Sequence, residues 1–291
     1  MKRKKSPPRN TVFRFVFFSS TVFLFLTAIF LSGYFFITHA SPTYPTSSYE
    51  IDEYYQPTDM HHVLGSNTDE TIATHGSRDE KEIALTFDAD MTPGMQHMLI
   101  TGSVKSFYDA DLISYLEKTH TKATLFMTGL WIESYPKEAK ELGKNRLFEL
   151  ASHSYSHGGF SGSCYGLTPI PDEDDIGEIL KTQTDLEKIA GVKGKLFRFP
   201  GGCYDDYDLK VLSNLGITPV QWDVVAHDGF NPSLEQLENN VLPNVQNGSI
   251  IVMHMNGYPN EPETKNAVER IVPELKKKGY HFVKVSELLN P

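Results

Sequence analysis

Apolar and polar positions alternate in blocks along most of this chain. From residue 83 onward, short apolar or β-branched runs fall at 83–87, 122–127, 147–151, 195–199, 218–223, 249–253 and 280–285. Their lengths suit buried strands. Helix-like stretches lie between most of them. Ile176, Ile179, Leu180, Leu186 and Ile189 form an amphipathic stripe after Pro171 and an acidic first turn. Leu234, Leu237, Val241 and Val245 form a second, with Ser233 as candidate N-cap and Pro243 expected to kink or end it. Val268, Ile271, Val272 and Leu275 form a third that ends near Gly279. The stretch 91–106 reads as a long loop above the first strand.

Strands alternating with helices predict a mainly parallel sheet with crossover helices. The runs suit an α/β fold, a distorted (β/α) barrel of about seven parallel strands, better than a sandwich; an open doubly wound sheet is the alternative.

The N-terminal part follows another pattern. Lys2, Arg3, Lys4, Lys5, Arg9 and Arg14 precede a run without charge, residues 15–37. That run is long enough to cross a hydrocarbon core as a helix, and the basic flank predicts a cytoplasmic N-terminus. An uncleaved transmembrane helix is expected, with a cleaved signal peptide and secretion as the alternative. The expected organisation is a basic tail (1–14), a membrane anchor (15–37), a polar linker (38–79) and an extracytoplasmic domain (80–291). His61 and His62 in the linker read as solvated. A net charge of −10 argues against nucleic-acid binding. Cys164 and Cys203 allow one disulfide in an oxidising compartment; two buried free thiols are the other reading.

Candidate chemistry collects mostly where strands end, the side that faces the ligand in parallel α/β folds. Asp88 and Asp90 close the first run. Ser152-His153-Ser154-Tyr155-Ser156-His157 follows the third, and its two His can converge from a helix face or a tight loop. With a carboxylate they make a His, His, Asp metal site with open positions. Arg198 ends an otherwise apolar strand and needs an anionic partner, for which Asp88 is the candidate. Pro200, Gly201 and Gly202 let backbone approach a ligand. Trp222 is a sugar-stacking or core residue, core being the better reading, and Asp228 can orient a histidine. His254 ends the run 249–253, where Val252 and Met253 could line an apolar pocket beside a general acid. Together these groups suit metal-assisted hydrolysis of an amide or ester. No Ser or Cys nucleophile with a suitable elbow is evident.

The ordered set Thr86-Phe87-Asp88, His153 to His157, Arg198-Phe-Pro-Gly-Gly202, Trp222 to Asp228 and Gly248 to His254 resembles the NodB-homology polysaccharide deacetylases, carbohydrate esterase family 4, over roughly residues 80–290. The resemblance implies a divalent metal, usually zinc, and removal of N-acetyl groups from an amino-sugar polymer such as peptidoglycan, chitin oligomers or poly-N-acetylglucosamine, or sometimes of O-acetyl groups from other glycans. It implies Asp88 as general base steered by Arg198, His153 and His157 on the metal, and His254 as general acid steered by Asp228. Val252 stands where a Leu usually packs on the acetyl methyl. The chain departs from the family at Ala89, where a second Asp usually binds the metal. Either Asp90 reaches the metal from one residue further on, or the site has two protein ligands; the first is expected, because a persisting strand sends Asp88 and Asp90 to one face. Gly229 and Met255, the latter followed by Asn256, also stand where the family usually has an aromatic and an Asp, so the sugar-binding wall is expected to differ. A catalytically inactive glycan-binding module is the rival reading.

Overall fold

The computed structural model describes residues 72–230 and 233–290. The expected basic tail, the apolar run and most of the linker, with His61 and His62, lie outside the described residues. Among the described residues no helix is long and apolar enough to cross a membrane.

Strands and helices alternate as the pattern predicts. In chain order they are β1 (Glu82–Ala89), α1 (Pro93–Ile100), α2 (Ala110–Lys118), β2 (Ala123–Met127), α3 (Gly129–Ser134), α4 (Pro136–Lys144), β3 (Phe148–Ser152), α5 (Asp175–Asp185), β4 (Leu196–Phe197), α6 (Asp206–Asn214), β5 (Thr218–Pro219), β6 (Val224–Val225), α7 (Leu234–Val241), β7 (Ile250–His254), α8 (Thr264–Lys277), β8 (His281–Val283) and α9 (Val285–Leu289). The strands form one parallel sheet in the order β5-β4-β3-β2-β1-β7-β6, and β8 pairs with β1. Among the described residues the sheet has eight strands, in keeping with the expected count of about seven. The one outside the apolar runs, β6, is only Val224–Val225, too short to stand out as a separate run.

β1 organises the sheet. Ala84 pairs with both Ile250 of β7 and Val283 of β8, and Thr86 with both Val252 of β7 and Thr124 of β2. A strand has two edges, so β2 and β8 share the edge opposite β7. The side chains of β1 alternate between two apolar layers. Ile83, Leu85, Phe87 and Ala89 enter the main core with Leu112, Trp131, Leu237 and Ile271 of the helices. Ala84 joins Phe126, Ala151, Leu196, Val220 and Ile250 in a second layer inside the curved sheet. A strand buried on both faces reads as continuous apolar sequence, which is why β1 is so legible.

β5 and β6 do not pair with each other, so the barrel is incompletely closed. Residues of the expected linker partly bridge the opening. Ala73 donates to Pro219 O at 3.0 Å and accepts from Gln221 N at 2.8 Å, and Gly76 N donates to Gly248 O at 2.8 Å.

The three expected helices are α5, α7 and α8. Ser233 caps α7 in a reciprocal capping box with Gln236, and the helix ends before Pro243. α5 runs on into a wide turn, Leu186–Ala190, stopped by left-handed Gly191. The expected loop 91–106 is corrected: it contains α1. Thr92 caps this helix by accepting from Met95 N, and Pro93 is preset for the first turn. α1 buries none of its residues fully, so it lacks the apolar stripe that marks a helix in sequence.

Candidate active site

The loaded segments converge at the C-terminal ends of β1, β3, β4 and β7. Because β1 continues through Ala89, the Ala89 side chain points into the main core and is fully buried there. Asp88 and Asp90 therefore lie on the opposite side, toward the His pair. His153 Nε2 is 3.7 Å from Asp88 Oδ2 and 3.5 Å from Asp90 Oδ1; His157 Nε2 is 3.2 Å from Asp90 Oδ1.

Arg198 and Asp88 form a buried ion pair, Nη1 to Oδ1 at 2.6 Å. The same Nη1 donates to Thr86 Oγ1 at 2.8 Å, Nη2 donates to Gln221 O at 3.3 Å, and the guanidinium lies 3.9 Å above the Phe126 ring. Burial pushes the Arg198 pKa down while Asp88 opposes the shift. Such a pair is costly to break, because the survivor is left charged in an apolar setting.

The His pair sits in a tight loop rather than a helix. Ser154 and His157 both have left-handed backbone, φ 64° and 59°. Strained backbone of this kind must be held by its surroundings. Glu178 of α5 supplies one hold: Oε2 accepts from Tyr155 N at 2.9 Å and Ser156 N at 2.8 Å, and Oε1 accepts from Ser156 Oγ at 2.8 Å. His153 Nδ1 is hydrogen-bonded to Arg198 O at 2.8 Å, an interaction in which the ring must donate. Its Nε2 is thereby left as the lone-pair nitrogen facing the acids.

Two contacts from Asp228 orient His254, and a third, to Thr264, holds Asp228 itself. Oδ1 pairs with His254 Nδ1 at 2.8 Å, and Oδ2 accepts from His254 N at 2.8 Å and Thr264 Oγ1 at 2.7 Å. Withdrawal from water works against a charged imidazole, but Asp228, with Asp90 behind it, holds the His254 pKa well above its ordinary value. Asp88 and His254 are register partners on adjacent strands. The Arg198–Asp88 and Asp228–His254 pairs thus stand side by side at one level of the sheet.

Asp90, His153 and His157 offer ligand atoms that all lie within 4.8 Å of one another. Asp90 Oδ1 is buried and has no hydrogen-bond partner although two imidazoles face it. Burial raises the pKa of Asp90, but His157, His153 and His254 together bring it well below its ordinary value. An ionised, under-coordinated carboxylate oxygen beside two imidazole nitrogens is the donor set a divalent cation requires, so these residues fit one.

The remaining sequence candidates lie around this centre. Pro200 is buried and Gly201 exposed, with Gly202 between them in exposure. Gly201 and Gly202 have φ 62° and 72°, a tight left-handed turn that glycine takes without a Cβ clash. Trp222 packs against protein: a Cβ on Gly202 would meet its ring at 2.9 Å, and Arg198 lies 5.5 Å from its ring centre. Val252 is buried on β7. Cys164 and Cys203 are joined as a disulfide, resolving the alternative left open by sequence.

Two supporting residues escaped the sequence reading. Glu178 looks like any acid in the first turn of a helix. Asn256, which brackets the backbone of Asp90, figures in the sequence only as the neighbour of Met255.

The polysaccharide deacetylase family model matches residues 75–220. A peptidoglycan-N-acetylglucosamine deacetylase of Bacillus cereus is 32% identical over 72% of this chain and 89% of its own length. Among solved structures, a peptidoglycan N-acetylglucosamine deacetylase superposes with TM-score 0.63 at 26% identity, over 75% of this chain and 92% of that one. A family 4 pseudoenzyme from Bacillus anthracis shares the fold with TM-score 0.63 at 22% identity, over 77% of this chain and 70% of that one. With the five segments gathered at one site and the family model covering half its length, the chain belongs to the NodB-homology polysaccharide deacetylases of carbohydrate esterase family 4, amide hydrolases that remove acetyl groups.

Proposed function

We propose that the protein is a metal-dependent deacetylase that removes N-acetyl groups from an amino-sugar polymer of the cell envelope, with peptidoglycan N-acetylglucosamine as the leading substrate. The observation that carries the reading is the pairing of Arg198–Asp88 and Asp228–His254 at one register position, with Asp90, His153 and His157 beside them. The activities of the Bacillus cereus relative and of the superposed deacetylase, both peptidoglycan N-acetylglucosamine deacetylases, support the substrate class. The basic N-terminal cluster, the uncharged run that follows and the Cys164–Cys203 disulfide support an extracytoplasmic domain tethered to a membrane.

Asp90, His153 and His157 would hold the cation, for which zinc is the leading candidate. When bound, it would polarise the acetyl carbonyl and acidify a water. Asp88, held in place by Arg198, accepts the proton of the attacking water. His254, kept protonated by Asp228, gives a proton to the departing sugar nitrogen as the C–N bond breaks. Acetate and a free amine are the products. Val252 and the Pro200–Gly202 turn lie beside these groups as candidate contacts for the acetyl methyl and the sugar, and Trp222 backs the turn.

The test measures acetate release by the full chain from peptidoglycan, chitin oligomers and an O-acetylated xylan. Asp88→Asn and His254→Ala should each lower turnover about 10²- to 10⁴-fold with the fold retained. Full activity in either variant overturns the mechanism. An inactive glycan-binding module would instead bind glycan, purify without stoichiometric metal and release no acetate; retention of both proton-handling pairs argues against it.

A further inference from the structure

The rim of the site carries two aromatic rings that the chemistry above leaves unused. Tyr165 and Phe230 are 80% and 71% exposed. They meet edge to face with centroids 6.4 Å apart, and Phe230 also approaches the His227 ring at 6.0 Å. Their chain positions link them to the two proton-handling pairs. Phe230 follows Asp228-Gly229, and a Cβ on Gly229 would touch His254 Cε1 at 3.5 Å. Tyr165 lies over the turn that follows Arg198: a Cβ on Gly201 would meet its Cδ2 at 3.2 Å and Cys164 Sγ at 2.6 Å.

The backbone next to Tyr165 is also tied covalently. The neighbouring Cys164 is bonded to Cys203, just past the same turn. Tyr165 has φ 48°, a backbone state a bulky residue adopts only when its surroundings impose it. Gly201 leaves the space that lets Cys164 come down onto the turn. The loop thus presents an apolar ring to solvent, beside the reacting groups.

We propose that Tyr165 and Phe230 form a stacking subsite for a pyranose ring next to the sugar that is deacetylated, with the Cys164–Cys203 bond holding Tyr165 in place. The C–H faces of a pyranose are apolar and pack on aromatic faces, while its hydroxyls stay in water, which suits rings that are open to solvent. The choice of a glycan rests on the deacetylase reading.

The test uses the full chain with N-acetylglucosamine oligomers as substrate and calorimetric binding of the corresponding glucosamine oligomers. Tyr165→Ala and Phe230→Ala should each raise KM and weaken oligomer binding about five- to tenfold while kcat falls much less. Tyr165→Phe should keep both values, since the ring rather than the hydroxyl makes the contact. The double replacement Cys164→Ser, Cys203→Ser should reproduce the KM rise, with thermal unfolding run alongside to show that the domain still folds. KM and binding unchanged in both alanine variants would overturn the subsite. Parent protein that binds oligomer through Tyr165 but releases no acetate would overturn the deacetylase reading and leave the subsite standing.

Discussion

Asn256 holds the backbone of Asp90 from both sides. Its Oδ1 accepts from Asp90 N at 3.0 Å and its Nδ2 donates to Asp90 O at 2.6 Å. Asn256 is 1% exposed and follows the strand that carries His254. The clasp fixes Asp90 just beyond the last paired residue of β1, where the chain would otherwise be free to turn. In this protein the carboxylate that faces the His pair lies one residue past Ala89, and Asn256 is what keeps it there.

On the proposed reading, Asn256→Ala should therefore weaken affinity for a divalent cation about 10- to 100-fold, the usual range for a residue that orients a ligand. Asn256→Asp should be at least as harmful, because it sets an acceptor against Asp90 O. Chelator competition on the purified protein reads this directly; unchanged affinity in both variants would remove Asn256 from the account.

Glu178 acts on the other side of the site. Glu178→Ala removes the acceptor for two backbone amides and one hydroxyl of the His loop at once. Metal affinity should fall while the melting temperature moves little, since Glu178 is part-exposed. Glu178→Gln keeps oxygen acceptance at one position and should recover part of the loss. Equal metal affinity in all three proteins would count against the loop-holding role.

Arg198→Ala should destabilise the fold by about 3–5 kcal/mol, because Asp88 would be left charged and buried without its partner. Arg198→Met in combination with Asp88→Asn should recover much of that stability and no activity, which urea unfolding and acetate release can separate.

The pair Asp175 and Asp208 gives a pH dependence. Each is 1% exposed, and neither Asp175 oxygen has a hydrogen bond that meets ordinary geometry. Burial first, then Asp208, Asp172 and Asp205, push the Asp175 pKa from 3.8 to about 9. The unfolded chain releases this proton more readily than the folded one. The contribution to stability is thus complete below the unfolded value of 3.8 and declines as pH rises toward about 9. Tyr207 faces the same cluster and titrates higher still. Asp175→Asn should flatten the stability profile across that window. A parent profile already flat there would refute the assignment.

How much of this was legible in the sequence depended on how each residue is held. β1 was plain, since a strand covered on both faces spells an unbroken apolar word. The pairing of Arg198 and of His254 with carboxylates was plain as well, because both residues interrupt apolar runs and demand partners. α1 was missed: a helix that buries nothing fully carries no stripe, and Thr92-Pro93 was its single signal. β6 was missed because two residues make no period. Glu178 and Asn256 act through backbone atoms of distant loops, and no local pattern announces such a bond. The disulfide required knowing that the loop after His157 folds back onto the turn after Arg198, a fact of topology rather than of spacing.

The segment at residues 73–76 has a practical consequence for anyone who excises this domain. A cut placed at the apparent sequence boundary near residue 80 would remove the strap that spans from Pro219 and Gln221 to Gly248. Those amides and carbonyls would then face water at the open side of the sheet, offering a neighbouring molecule a template for pairing. A fragment begun upstream of residue 72 carries its own seal and should stay monodisperse where the shorter one self-associates.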